Sequence, residues 1–140
     1  MQRIVGRLVG CVAVALLATG CGGGRGTKTY PVKGTVTLQG QPLADVVVSF
    51  YPEQGSRPPS GMTDAEGAFA LSTFESKDGA PAGRYQVAIH EPAPEMAEGD
   101  YSLPPEKPPR FPVKYTNPRE SELVAEVKSG SDNTFTFDLK

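Results

Sequence analysis

VKGTVTL, residues 32–38, decides the fold: Val32, Gly34, Val36 and Leu38 fall on one side of an extended chain, and Lys33, Thr35 and Thr37 fall on the other. Side chains alternate across a strand, so this period of two predicts a half-buried strand. Gln39-Gly40-Gln41-Pro42 then breaks it. The alternation returns in six further segments. Val46, Val48 and Phe50 form an inward row opposed by Val47, Ser49 and Tyr51; a short strand is expected at 61–63; Phe69 and Leu71 follow inward. Tyr85, Val87 and Ile89 make a fifth row, and Leu123, Ala125 and Val127 a sixth. Phe135, Phe137 and Leu139 finish the chain, with Thr134, Thr136 and Asp138 outward. Seven strands with no long helical period between them predict an all-β body with one modest core.

The intervening residues have turn chemistry. Asp64 can accept from backbone N–H groups in Asp64-Ala65-Glu66-Gly67, and Gly67 can take the positive φ that closes that turn. Residues 128–133, with Gly130 as the flexible point, are expected to join the last two strands as a short hairpin loop. The 140 residues include 16 Gly and 14 Pro, which suits many short strands and turns. A formal net charge of −2 argues against nucleic acid as a partner, because counterion release needs a clustered basic surface. One His and two Cys are too few for a zinc site, so no metal or other cofactor is expected.

Ahead of the strands, Arg3 and Arg7 form a positive start and residues 8–18 are an uninterrupted apolar run. Eleven residues of helix reach about 16 Å, roughly half of a bilayer core, which suits a cleaved secretory signal peptide rather than a permanent span. Leu17-Ala18-Thr19-Gly20-Cys21 follows and resembles the lipobox of bacterial lipoproteins. The resemblance implies cleavage before Cys21 and a diacylglycerol on its thiol. Residues 1–20 are then the signal peptide, 21–29 a glycine-rich tether and 30–140 the folded domain. Cys11 would leave with the signal peptide, so no disulfide is expected. Removing Arg3 and Arg7 takes two charges from the balance, to −4, so the acyl chains rather than general electrostatics must hold the membrane. Gly22 rather than Asp after the cysteine points, by resemblance to a bacterial sorting rule, to the outer rather than the inner membrane.

Four segments then form one ordered pattern: Gly34-Thr35-Val36, residues 40–48 (GQPLADVVV), residues 63–69 (TDAEGAF) and residues 82–89 (AGRYQVAI). They resemble the carboxypeptidase regulatory-like domain. That implies a seven-stranded Greek-key β-sandwich of transthyretin-like (prealbumin) type. Pro112-Val113-Lys114-Tyr115 and the segment 130–139 resemble small bacterial lipoproteins that carry this domain alone. Their resemblance implies fold rather than activity, since these are core and turn positions.

Enzymes of related shape can be tested against the residues. Hydroxyisourate hydrolases use several His, and intradiol dioxygenases hold iron with two Tyr and two His; one His supplies neither set. Starch-binding modules stack sugars on Trp, absent here, which leaves Tyr30, Tyr51, Tyr101 and Tyr115 for carbohydrate. Lys33 and Asn133 raise the lysine–asparagine isopeptide of adhesin domains, but Lys33 points outward and Asn133 is expected in a turn. His90, ending the fifth strand beside Glu91, reads as a surface residue, and Asp64 to Glu66 and Asp78-Gly79 read as turns rather than calcium loops. No Ser or Cys nucleophile has a base beside it, so the chain is not expected to be an enzyme.

The segment 91–119 holds eight prolines with Met96, Tyr101, Leu103, Phe111 and Tyr115 among them. Proline keeps it extended and lowers the entropy lost on docking, so Tyr101, Leu103, Phe111 and Tyr115 are candidates for a partner-binding loop. The competing reading packs Leu103, Phe111 and Tyr115 over a sheet edge. The expected function is a membrane-anchored, non-enzymatic binding or envelope-structural module, with an envelope protein or polysaccharide as partner. The alternative is an accessory subunit of a membrane-proximal enzyme or transporter.

Overall fold

The computed structural model describes residues 26–55, 57–96, 98–99, 102 and 107–140. Each of the seven expected segments holds a strand, and three two-residue strands join them. In chain order these are β1 (Thr29–Tyr30), β2 (Val32–Leu38), β3 (Gln41–Pro42), β4 (Val47–Pro52), β5 (Ser60–Met62), β6 (Ala68–Ala70), β7 (Ala80–Pro81), β8 (Gly83–His90), β9 (Leu123–Val127) and β10 (Asn133–Leu139). Among the described residues between β8 and β9 there is a 3₁₀ turn at Val113–Thr116.

Two four-stranded sheets share one core. In the first, β2 is central, with β10 on one flank and β3 and β6 on the other. The second runs β5-β4-β8-β9, entirely antiparallel. A small β1–β7 pair sits apart. The expected break at 39–42 is a two-residue turn instead: Gln39 (φ 51°) and Gly40 (φ 80°) both take positive φ and fold Gln41–Pro42 back onto β2. Such turns match the twist of the strands they join. The Asp138 carboxylate holds this one, accepting from the Gly40 N–H at 3.0 Å and the Thr37 hydroxyl at 2.8 Å.

The expected hairpin at 128–133 is corrected. Strand β9 pairs β8 in one sheet, while β10 pairs β2 in the other, parallel and in register from Asn133–Val32 to Leu139–Leu38. The connection therefore crosses between layers. Asn133 makes that crossing and is not a turn residue: it opens β10, is buried, and its side chain is fully engaged. Its Oδ1 accepts from the Lys128 N–H at 2.8 Å, and its Nδ2 donates to the Lys128 and Ser131 carbonyls at 3.1 and 3.0 Å. The Asn133 N–H donates to Pro31.

Phe50 is the hub of the core. It is fully buried, with the rings of Phe69, Tyr85, Phe135 and Phe137 at centroid distances of 5.6–6.4 Å. Gly34 makes room for two of them, since it is flanked in register by Phe69 on β6 and Phe135 on β10. A β-carbon there would stand 2.2 Å from the Phe135 oxygen and 2.8 Å from the Phe69 ring. On one side the layers are tied by reciprocal backbone bonds between Ser60 and Ser72. Ser49, expected opposite the core face, is nevertheless buried, as is Ala88, its register partner on β8.

Candidate functional site

The strands give the body two ends, one carrying residues 27–31, 52–55, Arg57, 72–82 and 128–132, the other carrying 39–46, 62–67, 89–91, 110–122 and Lys140. At about 3.3 Å per residue, the seven residues of β10 separate them by about 23 Å.

The second end is plugged. Phe111 and Tyr115 are 4 % and 5 % exposed and belong to the core cluster. The Tyr115 Oη accepts from the Lys140 N–H at 3.1 Å, and the buried Ser121 hydroxyl donates to the Val87 carbonyl, so the segment grips both layers. Arg110 clamps it. Its guanidinium donates to both carboxylate oxygens of Glu91 at 2.8 and 2.7 Å and to the carbonyls of Ala44 and Asp45 at 3.0 and 2.9 Å. The hydrogen bonds from Arg110 hold the Glu91 carboxyl below its usual value against the opposing effect of burial. Two of the four residues proposed for partner binding, Phe111 and Tyr115, are thus spent on packing and offer no ring to a partner. Tyr101, Leu103 and Cys21 lie outside the described residues.

The other singled-out residues are structural in their contacts. His90 closes β8, half-buried, and burial lowers its pKa. The Asp64 carboxylate accepts from Glu66 and Ala68 N–H groups at 3.0 and 2.9 Å, and Gly67 takes φ 73°. Lys33 is exposed while the Asn133 amide is held by backbone groups, so the pair is not arranged for an isopeptide. Among the described residues, no three His, Cys, Asp or Glu side chains cluster to hold a metal. Every buried side-chain nitrogen or oxygen there has a partner, so none is aimed unsatisfied at a ligand.

The surface offers two shallow troughs of interest. One, of about 680 Å³, runs over the outer face of the first sheet past Lys33, Thr35, Met62, Ala68 and Ala70. The other, of about 460 Å³, lies at the first end and is lined by Thr27, Glu53, Arg57, Phe74, Arg84 and Tyr85 among others. Phe74 stands out there, 58 % exposed on a loop whose backbone is tightly tied. The Asp78 carboxylate accepts from the Thr73 and Phe74 N–H groups at 2.6 and 3.0 Å. The Thr73 hydroxyl donates to Gly79, and the Ser72 hydroxyl accepts from the Lys77 N–H. Desolvation pushes the Asp78 carboxyl up, but the N–H groups around it outweigh this and hold it low. Sequence reasoning saw the Asp78-Gly79 turn and missed what it presents. The available signal was an aromatic on the outward parity of the Phe69–Leu71 row, beyond the end of that strand.

Charge is also unevenly placed. The first end is balanced, with Lys28, Arg57, Lys77 and Lys128 against Glu53, Glu75, Asp78 and Asp132, although its trough carries Arg57 and Arg84 against Glu53; at the plugged end carboxylates outnumber cations. No protein-family model, curated protein or solved structure matches the chain.

Proposed function

We propose that the protein is an exported lipoprotein, moored by lipid on Cys21, whose folded body is a non-enzymatic binding or envelope-structural module. The body is then a seven-stranded Greek-key sandwich of transthyretin-like, carboxypeptidase regulatory-like type, and the outer membrane is its site. The observation that carries this reading is the order of the N-terminal signals. Arg3 and Arg7 precede an eleven-residue apolar run, then small residues, Cys21 and a glycine-rich tether, and the first strand among the described residues opens at Thr29. The engagement of Asp64, Asp78, Asn133 and Arg110 in turns and clamps supports a binding rather than a catalytic role.

The test is Cys21→Ser with membrane fractionation and intact mass. The parent chain is expected in the membrane fraction with acyl mass on Cys21, and the variant is expected to be released. Equal membrane retention of the variant overturns the lipid assignment, and turnover of a small molecule by the purified protein overturns the non-enzymatic one.

A further inference from the structure

We propose that the end of the body bearing Thr27, Arg57, Phe74 and Arg84 lies against phospholipid headgroups, with the Phe74 ring at the interface. This rests on the lipoprotein reading and adds to it an orientation and a second point of membrane contact.

Three observations carry it. The first is reach. Thr27 is six residue steps from Cys21, about 21 Å when taut and about 12–15 Å root-mean-square at glycine-rich linker dimensions. Thr27 lines the same trough as Phe74, Arg57 and Arg84, so an anchor at Cys21 brings these residues to the bilayer surface. The plugged end stands one strand length further away.

The second is how Phe74 is displayed. The Thr73 and Phe74 N–H groups, donating to the Asp78 carboxylate, fix the backbone that holds the ring out. A fixed loop loses little freedom on docking, which favours insertion of the ring among headgroups and acyl ends. The third is charge. Arg57 and Arg84 line the trough with Phe74 against a single carboxylate, Glu53, and offer two cations to lipid phosphates, while the carboxylate-rich end faces away. A lipid surface satisfies all three together.

The chain contains no Trp, so Phe74→Trp creates a single reporter. The full-length lipidated protein is reconstituted in phosphatidylethanolamine–phosphatidylglycerol vesicles with and without brominated acyl chains. Val113→Trp, on an exposed side chain of the plugged end, serves as the comparison. Emission from Phe74→Trp is expected to shift to the blue and to be quenched at least twofold by the brominated lipid, with Val113→Trp unchanged. Adding Arg57→Glu and Arg84→Glu to Phe74→Trp is expected to reduce the quenching. Protein that floats with vesicles while Phe74→Trp stays unquenched, or is quenched no more than Val113→Trp, overturns the orientation and leaves the anchor standing. Protein that fails to float overturns the anchor and the orientation with it.

Discussion

Gly34→Ala tests the closest approach in the first sheet. The new β-carbon would stand 2.2 Å from the Phe135 oxygen and 2.8 Å from two carbons of the Phe69 ring. The ring has little freedom to move, being 4 % exposed, edge-on to Phe50 and stacked on Phe137. The oxygen belongs to β10, which is paired with β2 over all seven residues and cannot retreat without opening that ladder. Overpacking of this kind costs about 1–3 kcal/mol, and a weakened ladder bond adds about 0.5–1.5 kcal/mol. The alanine also restricts the unfolded chain, which offsets about 0.4–1 kcal/mol. The net expectation is a loss of about 2 kcal/mol, a large share of the ~5–15 kcal/mol typical of a domain. With a slope of about 1–3 kcal/mol per molar urea, the unfolding midpoint followed by circular dichroism should fall by about 1 M. Gly26→Ala is the control, because its β-carbon meets nothing within 4 Å. A loss below about 0.5 kcal/mol for Gly34→Ala would refute the arrangement of β6, β2 and β10 on which the core rests.

Asn133→Ala should cost about 2–3 kcal/mol by stranding partners in the crossing loop, and amide exchange at Lys128 should accelerate; unchanged exchange would show that the side chain does not hold the loop. The pH dependence follows from Glu91 and His90, whose pKa values are both lowered on folding, Glu91 chiefly by the Arg110 hydrogen bond and His90 by burial. For both groups the unfolded chain takes up the proton first, so stability is fully present above the unfolded value and is lost as pH falls through the folded one. The His90 share is therefore expected to fade just below about pH 6.5 and the Glu91 share below about pH 4.3. His90→Gln should remove the upper limb of an acid titration followed by thermal unfolding. Arg110→Ala should flatten the lower one, by less than about 1 kcal/mol because both partners are over 40 % exposed.

Alternation was enough to place Val36, Val48, Phe50, Val87 and Ile89, all fully buried, because a period of two reports directly which face of a strand is covered. It was blind to Leu43, Phe111 and Tyr115, core residues outside any strand, which join the cluster through tertiary packing. Leu38, Leu123 and Phe135, expected inward, are only partly buried. Alternation also says nothing about which strand is the neighbour. The short connection at 128–133 suggested a hairpin, while the pairing of β10 with β2 depends on bonds from Asn133 to Pro31 that no local pattern announces. At the surface, Phe74 escaped because its display depends on Asp78, four residues along, bonding back to the loop.

Strand β10 supplies one whole flank of β2, although its residues stand 101 positions further along the chain than their partners. Until β10 docks, β2 and the Phe50 ring are therefore only half covered. A premature stop or a nick that removes β10 would delete Phe135, Phe137 and Leu139 and leave β2 as a raw edge, ready to recruit strands from other chains. Docking of β10 thus closes the first sheet and its core in one step.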